Sequence, residues 1–152
     1  MKRIVLLALA AFSIITVNAQ RGKDGAKTVT GPAEEVNAFT MLTSDATIGD
    51  TLINVTSSTL STNFSSNLAA GDLIMIYQVQ GASIEDSITV PSFPNSSKFH
   101  HTWGRITNYN NAGNYEFVQV KSVPNGTSIV FDCALKKNYT ASGRVMVVRV
   151  PR

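Results

Sequence analysis

Two adjacent histidines, a lone tryptophan, a lone cysteine and a knot of asparagines and tyrosines are the residues of this chain with the most chemistry to offer. His100 and His101, in "FHHTWG", point to opposite faces of an extended backbone and do not chelate one metal. No third ligand stands at a suitable spacing, so no metal site is expected. Cys133 has no base or polarising group beside it to make a thiolate nucleophile. It alternates with Ile129, Phe131 and Leu135 and reads as a small buried hydrophobe on a strand face. Asp45, Asp50, Asp72, Glu85 and Asp86 are scattered without the pairing that glycoside hydrolysis needs, and read as solvated. Neither a Gly-x-Ser-x-Gly elbow nor a glycine-rich phosphate loop occurs. The expectation is a chain with no catalytic residue, no cofactor and no enzymatic activity.

The stretch "ITNYNNAGNYEFVQV", residues 106–120, poses a sharper question. Asn110, Asn111 and Gly113 tolerate left-handed backbone, and asparagine side chains bond the backbone two residues on, so turn chemistry accounts for the composition. A calcium loop needs several carboxylates, and this loop has none. Tyr109 and Tyr115 flank the turn either as a cross-strand aromatic pair or as a platform for a sugar ring. Trp103 is either a core anchor or a third stacking face. Trp103, Tyr109 and Tyr115 are the candidate glycan-stacking residues.

Lys2 and Arg3, an apolar run over residues 4–17, and the small residue Ala19 follow the order of a secretory signal peptide, a helix cleaved between Ala19 and Gln20. The run is short for a membrane span of roughly 20 residues, and no later segment is apolar for long enough, so no span is expected after cleavage. Residues 28–97 hold seven acidic side chains and no Lys or Arg, whereas residues 98–152 hold eight basic and two acidic ones. An exported protein rarely meets nucleic acid, so this asymmetry reads as two complementary parts of one fold or as a weak attraction to acidic surface polysaccharide, and no nucleic-acid partner is expected.

Residues 20–40 are polar and read as a flexible leader, with residues 36–42 offering an edge strand. Residues 41–152 suit one domain. Candidate strands fall at 51–57, 72–80, 102–109, 115–123, 128–135 and 144–150, separated by "AAGD", "NNAGN", "PNG" and "TASG". "LIMIY" and "VMVV" suit central strands covered on both faces, while Glu116, Gln119 and Lys121 put the strand from Tyr115 nearer an edge. "SVPNGTS" reads as a hairpin in which Gly126 can take a positive φ. The fold class is therefore all-β, an antiparallel β-sandwich or else a small β-barrel. Residues 81–101 form a long interrupting loop of the kind that carries function.

Three stretches, "AAGDLIMIYQVQGA", "GRITNYNNAGNYEFVQVKSV" and "CALKKNYTASGRVMVVRVPR", carry a resemblance. Over residues 46–152 the chain resembles the N-terminal β-rich region of large exported adhesin-like surface proteins of gliding Bacteroidota that use type IX secretion. That resemblance implies a module at the start of a longer protein, placed at the cell surface or secreted, or periplasmic if it stands alone. It also implies O-glycosylation at Asp-Ser/Thr motifs, which "DTL" and "DSI" match at Thr51 and Ser87. The expected function is structure or adhesion. The alternative is polysaccharide binding through exposed aromatics, with a surface polysaccharide or protein as partner.

Overall fold

Short runs of β-branched and aromatic residues between Gly, Asn and Pro turns fold as eight strands in the computed structural model, which describes Asp24 and residues 28–85 and 104–151. They are β1 (Phe39–Met41), β2 (Leu52–Asn54), β3 (Leu73–Gln78), β4 (Ser83–Ile84), β5 (Ile106–Asn108), β6 (Tyr115–Asn125), β7 (Ser128–Phe131) and β8 (Val145–Val150). A 3-10 turn at Ala141–Gly143 leads into β8. Six strands form one antiparallel sheet in the order β1-β8-β3-β6-β7-β2, and β4 and β5 form a separate ribbon. No helix among the described residues is long and apolar enough to cross a membrane.

The large sheet curls until its end strands meet. Just past β1, Leu42 bridges Val55, which follows β2. The Thr43 N–H donates to the Asn54 carbonyl and the Thr56 N–H to the Met41 carbonyl, each at 2.9 Å. This all-β, barrel-like closure leaves no long free edge on the six-stranded sheet. β6 makes it possible: its register slips between Val120 and Ser122 and again before Asn125, so it bends from its pairing with β3 into its pairing with β7. The hairpin at Gly126 is present, but Gly126 is not among the positive-φ residues. The Asn125 side chain instead accepts from the Thr127 N–H at 2.9 Å.

Alternation with a period of two fills the interior. Ile74, Ile76, Val118, Val120, Ile129, Phe131, Val145 and Val147 all point inward, against Ile53 and Val55. β3 and β8 are central as expected, yet only their inner faces are fully buried; the outer residues remain part-exposed. β6 lies inside the sheet order rather than near an edge. Its inward Glu116 is accommodated because the carboxylate accepts from the Lys136 and Lys137 N–H groups (3.0 and 3.2 Å) and from the Tyr139 hydroxyl (3.0 Å). Cys133 is exposed, not buried: β7 ends at Phe131, and the alternation that would have carried Cys133 inward stops there.

Arg149 keeps the inward phase of β8 and is 1% exposed. Its Nη2 lies 2.7 Å from Asp72 Oδ2, and its Nη1 donates to the Leu60 and Ser66 carbonyls at 3.1 and 2.6 Å. The guanidinium also stacks 4.1 Å from the centroid of Phe64. Asp72, read from the sequence as one of several solvated acids, is thus buried and paired. One acid from the acidic half and one base from the basic half close one end of the barrel together.

Candidate functional site

The opposite end of β3 carries a second buried polar residue, Gln78, with no solvent exposure. Its Oε1 accepts from the Thr140 N–H at 2.8 Å, and its Nε2 donates to the Gln80 and Asn110 carbonyls, both at 2.9 Å. Its main chain bonds the same region: Gln78 N–H donates to the Asn114 carbonyl and Gly113 N–H to the Gln78 carbonyl, each at 2.9 Å. One amide therefore ties three segments together: the exit of β3, the β5–β6 loop and the 3-10 turn before β8. Burying an amide is tolerable only when it is bonded in this way.

Asn110 and Asn111 adopt left-handed backbone (φ 46° and 68°), as does Gly113 (φ 85°), so the expected turn chemistry is what the loop uses. The Asn110 side chain donates to the Gly81 carbonyl (3.0 Å) and to the Ser83 hydroxyl (2.9 Å), and the Asn111 side chain donates to the Thr140 hydroxyl (3.2 Å). Between these segments opens a cleft of about 360 Å³ lined by Gln78, Gly81, Asn110, Asn111, Thr140, Ser142 and Gly143. Every polar lining side chain is an amide or a hydroxyl. Tyr109, directly before Asn110, is 65% exposed. Uncharged amides and hydroxyls are the chemistry that recognises a ligand rich in hydroxyls. The turn and the ligand-loop readings of this stretch are compatible: the asparagines build the reversal, and the reversal walls the cleft.

The structure separates two of the three sequence-predicted stacking residues. Tyr109 is exposed in the β5–β6 loop directly before Asn110, whereas Tyr115 lies on the outer face of the sheet, opposite Tyr77 and edge-on to Phe117 with ring centroids 6.4 Å apart. Lys137 Nζ sits 5.0 Å from the Tyr115 ring centroid. Trp103, His100 and His101, the acceptor Ser87, most of the long loop and the cleavage pair Ala19 and Gln20 lie outside the described residues. Thr51 is exposed, and its carbonyl accepts from the Phe131 N–H at 2.8 Å. Among the described residues no three His, Cys, Asp or Glu side chains are placed to hold a metal ion. Gln78, Thr140 and Ser142 were missed by sequence reasoning. Only Gln78 left a signal, since it continues the inward phase of Ile74 and Ile76.

Below the cleft, the buried Tyr139 hydroxyl donates to Glu116. Burial first, then the hydrogen bond and the negative charge of Glu116, push this phenol far above its ordinary value. A tyrosine that titrates higher in the folded than in the unfolded state contributes fully below pH ~10 and loses its contribution as the pH rises beyond that. Stability should therefore fall above pH ~10 with an extra slope of up to about 1.4 kcal/mol per pH unit. Tyr139→Phe should lack that slope and cost about 1–2 kcal/mol at neutral pH. Urea unfolding midpoints of the two proteins between pH 7 and 11 check this; parallel curves would refute it.

No family model matches the sequence, and no curated protein matches it. Among solved structures, the chain is similar to the tailspike gp61 of Pseudomonas phage phi297 (14% identity, TM-score 0.42, covering 73% of this chain and 14% of that one). It is also similar to the gp54 tailspike of Acinetobacter baumannii bacteriophage AP22, in complex with A. baumannii capsular saccharide (22% identity, TM-score 0.44, 76% and 15%). A third is the tailspike gp49 of Pseudomonas phage LKA1 (22% identity, TM-score 0.41, 76% and 15%). The chain spans about 15% of the length of these proteins. The expectation of a chain without enzymatic activity does not stand beside these tailspike matches and is withdrawn. That expectation rested on missing local motifs, and catalytic carboxylates that converge through a fold leave none.

Proposed function

We propose that this chain is a saccharide-binding module of an exported cell-surface protein, and that it holds its ligand in the cleft between the β5–β6 loop and the 3-10 turn. The observation that carries the reading is a cleft whose polar lining is entirely amide and hydroxyl, with the exposed Tyr109 next in the chain to its lining residue Asn110. The Asn110 and Asn111 side-chain oxygens can accept from sugar hydroxyls, the Ser142 hydroxyl can donate or accept, and an aromatic face covers the apolar side of a pyranose ring. Gln78 fixes the cleft walls before any ligand arrives, which lowers the ordering cost of binding. Export rests on the N-terminal sequence, and membership among adhesin-like, type IX-secreted Bacteroidota proteins rests on the three quoted stretches. Adhesion through surface polysaccharide joins the two.

The test is binding of the chain to an array of bacterial capsular and extracellular polysaccharides, followed by titration of the best ligand. Tyr109→Ala should weaken binding about tenfold, roughly one stacked ring, and Ser142→Ala should weaken it by a smaller factor. Both residues are exposed, so neither change should alter the thermal midpoint. Failure to bind any saccharide, or affinity untouched by the double substitution, would overturn the reading.

A further inference from the structure

The outer face of the wall β1-β8-β3-β6 is apolar across four strands. One rung runs Met41, Met146, Tyr77, Tyr115. The next runs Phe39, Val148, Met75, Phe117. Neither rung contains a charged side chain, and no layer of described residues covers them. Phe39, Tyr115 and Phe117 are 46, 53 and 54% exposed, and the residues between them are part-exposed. Three half-open aromatic rings plus the intervening Met, Val and Tyr side chains present on the order of 500 Å² of apolar surface. That is comparable to the apolar share of a standard interface of about 800 Å² per partner. Methionine, tyrosine and phenylalanine are the residues that interface cores select.

We propose that this face joins two copies of the chain, sheet against sheet. A two-fold axis parallel to the strands, between β8 and β3, lays β6 of one copy over β1 of the other. Phe117 then covers Phe39 of the partner subunit, and Tyr115 covers Met41 of the partner subunit, so the exposed rings of Phe117 and Phe39 bury one another and Tyr115 is buried against a methionine. The same operation keeps the cations near β6, Lys121 on its outward side and Lys137 over Tyr115, away from their own symmetry mates. Sheets packed in this aligned way sit about 10 Å apart and accommodate their twist. The cleft at Gln78 lies at the strand ends, so a dimer would display two of them.

Sedimentation velocity of the full chain from about 1 to 100 μM should show a monomer–dimer equilibrium, as expected for an interface of this size. Phe117→Glu should weaken it about thirtyfold or more, a hot-spot loss, and Phe39→Lys should do the same, each with an unchanged circular dichroism spectrum. Mixing the two variants should restore a dimer. The introduced carboxylate would face the introduced ammonium across one contact, while the wild-type pair of rings remains at the other. A wild-type chain that stays monomeric, a dimer that survives both substitutions, or a mixture that stays monomeric would overturn the proposal. So would a monomer in which Phe117→Glu abolishes binding of a polysaccharide or of another protein, since the face would then belong to that occupant.

Discussion

Arg149→Ala should lower the free energy of unfolding by about 3–5 kcal/mol, the cost of stripping one partner from a buried ion pair. The guanidinium is 1% exposed and serves four groups at once: the Asp72 carboxylate, the Leu60 and Ser66 carbonyls and the Phe64 ring. Removing it strips the Asp72 carboxylate in the barrel end of the Arg149 guanidinium and releases the segment around residues 60–66 from β8. Lysine cannot substitute, because a single ammonium does not reach the carboxylate and both carbonyls in the fixed fork of a guanidinium. Arg149→Lys should therefore recover only part of the loss. Asp72→Asn removes the charge that Arg149 faces while keeping the oxygen that accepts from the Ala69 N–H at 3.0 Å. The double variant Arg149→Met/Asp72→Asn should be less destabilised than the sum of its singles by at least about 2 kcal/mol. Urea unfolding of the four proteins decides; strictly additive losses would show that packing, not charge pairing, holds this end.

How far the sequence foretold this arrangement depends on which physical signal a residue leaves. Strand phase is local: Ile74 and Ile76, or Val145 and Val147, alternate with their neighbours and declare an inner face, and the antiparallel all-β class follows from such segments and their turns. The same phase carries Gln78 and Arg149 inward. Their polarity argues the other way, because a buried amide or guanidinium is stable only beside partners that come from 62 or 77 residues away in the chain, Thr140 and Asp72. No window of sequence shows those partners. Glu116 misled for the same reason: polar on the inner face, it suggested an edge strand, yet backbone N–H groups at Lys136 and Lys137 satisfy it inside the sheet. Cys133 misled in the opposite sense, since the alternation continues in the letters after the strand has ended. The cleft was half legible. The β5–β6 loop announced itself by its asparagines, whereas Thr140 and Ser142 belong to a turn with no distinguishing composition.

Gly143→Ala should be the most damaging small substitution at the cleft end, costing about 3 kcal/mol. The glycine is not needed for its backbone freedom, because its φ is not positive. It is needed for space: a Cβ there would stand 2.5 Å from the Gln80 carbonyl oxygen and closer still to the Gln78 amide nitrogen. The carbonyl belongs to the main chain and accepts from Gln78 Nε2, while the Gln80 N–H donates to the Gly143 carbonyl at 2.7 Å. The methyl group must therefore push apart the contacts through which Gln78 holds the three segments. Relief by rotating Gln78 away would leave the Thr140 N–H and the Asn110 carbonyl without their partner. Gly126 supplies the contrast: a Cβ there meets nothing within 4 Å and the backbone is not left-handed, so Gly126→Ala should fall within about 0.5 kcal/mol of wild type. Thermal midpoints should separate the two alanines by roughly 10 °C, given about 4 °C per kcal/mol for a domain of this size. If saccharide binding resides in the cleft, Gly143→Ala should also weaken it at temperatures where the protein is still folded, and Gly126→Ala should not. Equal midpoints for both variants would mean that the turn at Ala141–Gly143 yields freely, and that Gln78 does not fix the cleft walls.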